Sequence, residues 1–364
     1  MTVTFAEKLA RIPHYEPGTS LDDAKERAET ADAVKLASNE SPFPPHPQVV
    51  EAIQKAAGAM HRYPDPDATL LRQRLAERYE TEPGRIAVGN GSCEILLAAA
   101  DALCEPGAEI VYAWPSFSMY PYLPALTGAR EVRVPLAGGD VHDLDAMAAE
   151  VTAATQLLIV CNPNNPTATH IPAAEIAAFC ERIPSHVTVV LDEAYVEFQA
   201  HDDPDATVDL LADLSNLVVL RTFSKCYGLA GLRVGYAIGS ASFRAAVDAV
   251  RQPFSVNALA QAAGAEAVRH QDDVLRRVES TIAARLTVEE GLQRLGLDST
   301  DSHANFSWVD LGDADEAAIL AGLAEREIAV RPGKALGGPG HIRVSYGTVE
   351  ENERFLRVLS DLLD

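Results

Sequence analysis

Several features common in other protein classes are missing from this 364-residue sequence, and each absence excludes something. No run approaches the ~18 apolar residues of a membrane-crossing helix. No two cysteines are spaced C-x-x-C. The five present (Cys93, Cys104, Cys161, Cys180 and Cys226) are an odd number. That suits reduced thiols in a cytoplasm better than a disulfide framework, and no metal site is expected. Positive charge is scarce: 30 Lys and Arg stand against 53 Asp and Glu, a formal net charge of −23. Such a surface repels nucleic acid and anionic membrane, so neither is expected as a partner. No apolar stretch follows Met1–Lys8, so no signal peptide is expected.

What is present is an ordinary globular balance, 47% hydrophobic and 23% charged. A single core usually stops growing by ~250–300 residues, so a large domain and a smaller one are expected. Short apolar runs read as buried strands at 85–88, 109–112, 131–134, 156–161, 187–191, 216–220 and 233–238. Helical patterns fall between several of them, at 93–103, 143–153, 173–182 and 208–214. Strands apolar on both faces, alternating with helices, predict an α/β class: a three-layer α/β/α domain with a mostly parallel sheet. Beyond about 240 the helical character rises, with a long helical stretch at 257–295 and short strands at 306–309 and 341–344. The expected division is an N-terminal arm over 1–40, a large domain over 41–250 and a smaller α+β domain over 251–364. The arm carries a helix expected around Ser20–Ala31.

Four segments carry chemistry. In Arg221–Tyr236, Lys225 follows a strand end, where open α/β sheets bind ligands. Thr222 and Ser224 flank it, and Arg233 lies past a glycine-containing turn. An amine with hydroxyls and a guanidinium nearby suits an aldehyde that also bears a phosphate; a surface lysine beside a turn is the plainer alternative. Asp192 ends the strand before Glu193, Ala194 and Tyr195. There it could pair with a pyridinium and favour the protonated ring, or merely cap a helix. Cys161–Thr167 reads Cys-Asn-Pro-Asn-Asn-Pro-Thr, an extended loop whose prolines leave the asparagine amides pointing outward, with Asn165 able to reach a phenolate oxygen. Val88–Glu94 is a strand, a glycine turn and a helix start, whose free amides at Ser92 and Cys93 would receive a phosphate. It is neither G-x-G-x-x-G nor a Gly-Lys-Ser/Thr loop, which counts against a nicotinamide dehydrogenase or a nucleotide hydrolase. Phe117 could stack on a ring or simply fill the core.

Taken together and in order, these segments resemble the fold-type I aminotransferases that use pyridoxal 5′-phosphate, and within them the histidinol-phosphate and aromatic aminotransferase group. The resemblance also includes Lys35–Pro42, Arg62–Pro64, Gly231–Arg233, Ser302–Phe306 and His341–Val344. It implies Lys225 as the covalent lysine and proton shuttle, Asp192 as partner of the ring nitrogen, and Asn165 and Tyr195 as phenolate contacts. It implies Ser92, Cys93, Thr222, Ser224 and Arg233 as the phosphate cup. Tyr63 resembles a tyrosine that reaches the neighbouring subunit's phosphate, so a homodimer is implied. Arg343 resembles the substrate-carboxylate arginine and Arg331 a second anion contact, with Asn165 and Tyr15 beside them. One departure stands out: Ala168 occupies a position where glycine is usual, and glycine there permits a positive φ.

The implied reaction is a ping-pong amino transfer from an aromatic, phenylalanine-like donor to 2-oxoglutarate. Histidinol phosphate is the alternative donor, and a decarboxylase or lyase on the same fold is a further alternative.

Overall fold

The computed structural model describes residues 3–13 and 33–363; the helix expected around Ser20–Ala31 lies outside the described residues. Strand β1 (Val34–Lys35) is followed by seven strands of one sheet: β2 (Ile86–Gly89), β3 (Glu109–Trp114), β4 (Arg130–Pro135), β5 (Thr155–Cys161), β6 (Thr188–Asp192), β7 (Leu217–Thr222) and β8 (Gly235–Ile238). Their order across the sheet is β2-β8-β7-β6-β5-β3-β4. All pair in parallel except β8, which runs antiparallel to both neighbours. The expected mostly parallel sheet is therefore observed, with one reversed strand.

Alternation along the strands explains the three layers. Val111, Leu158, Val160, Leu217 and Val219 face one core. Ile110, Leu157, Ile159, Val218 and Leu220 face the other. A strand buried on both faces has no polar side to show, so it reads as an unbroken apolar run. Helices such as Ser92–Leu103 and Ala173–Arg182 cover the two faces.

A second sheet is built from β9 (Asp298–Ser299), β10 (Phe306–Asp310), β12 (Arg331–Pro332) and β13 (His341–Ser345), all antiparallel, while β11 (Ile328–Ala329) pairs in parallel with β1. Its own core holds Val309, Ile342, Val344, Phe355 and Leu359. The expected 257–295 stretch is two helices, Ala258–Ala267 and Gln271–Arg294. The second belongs to both cores: Val274 and Val278 pack with the large sheet, Val288 and Leu292 with the small one. Among the described residues no helix is long and apolar enough to cross a membrane.

Candidate active site

Parallel pairing brings the chemical segments together. Cys161 pairs with Asp192, and Asp192 with Leu220, so β5, β6 and β7 end on the same edge. The reversed β8 starts at that edge: Gly235 pairs with both Thr222 and Gly89. The chain therefore leaves β7 through Lys225 and returns through Arg233 to the place it left. A Cβ at Gly235 would collide with the backbone amide of Ser92. Only glycine lets the helix start lie against this strand.

A buried ionic network fixes the edge. Arg221, the residue before Thr222, is 2% exposed. Its Nε donates to Glu193 Oε2 at 2.9 Å and its Nη1 to Asp205 Oδ1 at 2.7 Å. Glu193 directly follows Asp192, so one ion pair ties the ends of β6 and β7. Breaking such a pair by removing one partner costs about 3–5 kcal/mol.

Lys225, Asp192, Tyr195, Asn165, Phe117, Ser92, Cys93, Thr222, Ser224 and Arg233 all line one cavity of about 330 Å³. At one end, Gly91 (φ 76°) precedes the helix Ser92–Leu103, whose first amides have no partner within the helix. Thr222 Oγ1 lies 3.0 Å from Ser224 Oγ and accepts from the Ser224 amide at 3.1 Å. Arg233 Nη1 reaches Ser224 Oγ at 3.5 Å, and a Cβ at Gly91 would strike its guanidinium. Amides, hydroxyls and a guanidinium converge as an anion cup.

Asp192 stands in the same cavity, nearly sealed from solvent. Tyr120 donates to its Oδ2 at 2.9 Å, while Oδ1 is buried with no hydrogen-bond partner. Burial leaves this carboxyl raised to about 6, although the Tyr120 hydroxyl, the Ala194 amide and the Lys225 ammonium oppose it. A cation placed at Oδ1 would hold it ionised. Lys225 Nζ lies 3.4 Å from the Ser38 carbonyl oxygen and 5.4 Å from the centroid of the Tyr195 ring. Burial pushes the amine down to about 8, with the Arg343 and Arg233 cations adding to the effect and Glu40 and Cys93 opposing it. An aldehyde-bearing pyridinium with a phosphate tail matches this set: cup, facing amine, and an unsatisfied buried carboxylate oxygen.

The lowered lysine has a measurable consequence. A free amine attacks only when neutral, and its neutral fraction rises as pH passes upward through its pKa. Covalent loading of apo-protein with pyridoxal phosphate is expected to accelerate roughly tenfold per pH unit below about 7 and to level off above about 8. An ordinary lysine would keep accelerating toward about 10. Arg343→Gln removes the largest cationic neighbour, so its plateau should move to higher pH; stopped-flow absorbance at a series of pH values checks both.

Next to this cavity lies a smaller one of about 150 Å³, shared by Lys225, Asn165, Phe117, Tyr195, Arg331 and Arg343. Arg331 and Arg343 are direct cross-strand partners on β12 and β13, so they project from one face. Like charges set opposite each other repel unless an anion lies between them. Arg343 Nη2 donates to the Ala37 carbonyl at 2.8 Å and Nη1 to Asn165 Oδ1.

Two sequence expectations need adjusting. The loop asparagines do not all point outward. Asn162 bonds both backbone groups of Ile171, and Asn164 bonds Ser116, Pro115 and Thr167, because buried amides must be satisfied; of the three, only Asn165 lines the cavities. Ala168 keeps the left-handed backbone (φ 61°) that glycine would adopt freely, a strain of about 1–2 kcal/mol, but its methyl is wholly buried. Tyr63 lines neither cavity; it is 84% exposed and stacks on Phe254 at 4.7 Å. Tyr15 lies outside the described residues.

Sequence reading missed Tyr120 and Asn39. Tyr120 follows strand β3, but nothing local marks its reach to Asp192. Asn39 (φ 53°) donates from Nδ2 to Tyr195 Oη at 3.0 Å and exchanges two bonds with Ser345, holding the Ala37–Glu40 segment over the site.

Residues 31–359 match the family described as aminotransferase class I and II. An aromatic amino acid aminotransferase of Streptomyces coelicolor is 42% identical over 96% of this chain and 95% of its own length. A histidinol-phosphate aminotransferase of Geobacillus thermodenitrificans is 41% identical, covering 98% and 97%. Among solved structures, the histidinol-phosphate aminotransferase of Sinorhizobium meliloti in complex with pyridoxal-5′-phosphate superposes with a TM-score of 0.88 at 29% identity, over 100% of this chain and 98% of that one.

Proposed function

The chain belongs to the class I and II aminotransferase family, a transaminase that uses pyridoxal 5′-phosphate, and from that premise we propose that it carries an amino group from an aromatic, phenylalanine-like amino acid to 2-oxoglutarate. The observation that carries the reading is the cavity that Lys225 and Asp192 both line, next to a second cavity lined by an arginine pair.

The cofactor supplies an aldehyde and a ring that, when protonated, withdraws electrons from the substrate's α-carbon. Ser92, Cys93, Thr222, Ser224 and Arg233 would hold the phosphate, the first two through backbone amides. Asp192 would keep the ring nitrogen protonated by offering its carboxylate to it. Asn165 and Tyr195 would contact the phenolate oxygen, and Phe117 would cover the ring. Arg343, fixed in direction by Ala37 and Asn165, would bind the substrate carboxylate, with Arg331 beside it. Lys225, as a neutral amine, would take the proton from the substrate's α-carbon and give it up at the cofactor's aldehyde carbon. A group pushed down to about 8 suits that task, because it is partly neutral near pH 7 yet still basic.

The aromatic donor is supported by the names of relatives at 42% and 44% identity, against 41% for the histidinol-phosphate relative, and by the apolar Phe117 and Leu336 that share the arginine cavity. The opposed Arg331–Arg343 pair favours a second reading, histidinol phosphate, since two guanidiniums suit a dianion. Steady-state kinetics with each donor and 2-oxoglutarate separates the two. We expect phenylalanine to exceed histidinol phosphate at least ~10-fold in kcat/KM, roughly 1.4 kcal/mol. The reverse preference would overturn the aromatic assignment. We further propose a cytoplasmic homodimer in which the exposed Tyr63 completes the partner's phosphate cup.

A further inference from the structure

We propose that His201, Asp301 and His303 form a metal centre for a divalent ion of the zinc type, outside the catalytic cavity. Sequence alone gives no hint of it. Asp301 and His303 are two positions apart, but His201 lies 102 positions from His303 and meets it only through the fold. His201 follows β6 on the large sheet; Asp301 and His303 lie in the turn between β9 and β10 of the small one.

The spacing is that of atoms sharing an ion. His201 Nε2 and His303 Nε2 are 3.1 Å apart, and His303 Nε2 is 3.3 Å from Asp301 Oδ2. One donor atom from each residue lies within 4.8 Å of the other two. Zinc–nitrogen bonds of about 2.0–2.1 Å in a tetrahedral set place neighbouring ligand atoms about 3.3 Å apart. Hydrogen bonding alone accounts for the cluster less well. His303 Nε2 carries at most one proton, which both His201 and Asp301 would have to share. An ion bonds all three donors at once. Two imidazoles and a carboxylate suit zinc, cobalt or nickel rather than calcium or magnesium.

The surroundings fit as well. His303 is 7% exposed and anchors the site, while His201 and Asp301 are exposed and give an ion a way in. A third ring, His170, stacks 5.8 Å from His201 and lies 5.5 Å from His303. The His303 amide donates to the Ala168 carbonyl at 2.8 Å, and Thr300 donates to that of Thr167. The ion would therefore clamp the two sheets together behind the loop that presents Asn165, without touching the reacting atoms.

The test uses tag-free, cofactor-loaded protein stripped with chelator, then titrated with Zn²⁺ by calorimetry and with Co²⁺ by visible absorbance. The expected result is one ion per chain, a cobalt spectrum of nitrogen and oxygen ligands, and a higher Tm with Zn²⁺. His201→Ala and Asp301→Ala, both exposed and outside the cofactor cavity, should each weaken binding at least ~10-fold and lose the Tm rise while keeping basal transaminase rates. His303→Gln, a conservative change at the buried position, should do the same. Equal zinc affinity in the wild type and the His201→Ala/Asp301→Ala double variant, or no saturable binding by the wild type, would overturn the proposal.

Discussion

Replacing Lys225 with alanine is expected to lower turnover by at least ~10⁴-fold, the upper part of the range for losing a positioned acid–base group, because the same substitution also removes the covalent anchor. Two properties of this lysine set the size of the effect. Its Nζ sits in the cavity that holds Asp192, with the anion cup at one end and the arginine pair beside it, and among the described residues no other lysine lines either cavity. Burial and the neighbouring guanidiniums hold it near about 8, so a proton can be both taken and returned near neutral pH. The cup, by contrast, is left intact, since it is made by Ser92, Cys93, Thr222, Ser224 and Arg233. The variant should therefore still bind pyridoxal phosphate, but mass spectrometry after hydride trapping should find no covalent cofactor. Single-turnover assays with phenylalanine should show no detectable amino transfer over hours. Turnover retained within ~10-fold would remove Lys225 from the centre of the chemistry.

How much of this was legible beforehand follows from which interactions are local. The strands of the large sheet read clearly because residues such as Leu157–Cys161 are apolar on both faces, and Lys225, Asp192 and Asn165 each follow such a run. The reversal of β8 did not read. A run like Gly235–Ile238 looks the same in either direction, and only the short path from Lys225 to Arg233 forces the chain to double back. Buried asparagines were misread because their partners, Ile171 and Ser116, are set by tertiary packing. The same holds for the Tyr120–Asp192 bond, which spans 72 positions, and for the histidine cluster, which joins residues of different sheets. Residue types announced the chemistry, but their long-range partners needed coordinates.

Asp192→Asn is expected to lower kcat by about 10²–10³-fold, as for removal of one preorganised electrostatic partner, with little change in cofactor affinity. The argument turns on charge, since the two side chains have nearly the same shape. Burial leaves the carboxyl raised to about 6 even with its present partners, so it works against the ionised form that a protonated ring nitrogen requires. Ionisation is favoured by the bond donated by Tyr120, by the Ala194 amide and by the Lys225 ammonium, and a ring cation at Oδ1 would add the largest charge. Asparagine can keep the Tyr120 contact but supplies no charge for the ring cation, so the ring loses its proton and most of its electron-withdrawing power. Tyr120→Phe makes the graded comparison. It leaves the carboxylate and removes one hydrogen bond to it, worth about 1.5–3 kcal/mol, so kcat should fall only about 10–100-fold. The pH profile tells the two apart. A carboxyl without its Tyr120 donor has a higher pKa, and it is active only when ionised, above that pKa. The acid limb of kcat for Tyr120→Phe should therefore shift to higher pH, while Asp192→Asn has no such limb to shift. Equal losses in the two variants, or an unmoved acid limb in Tyr120→Phe, would show that Tyr120 only fills space and that Asp192 acts without it.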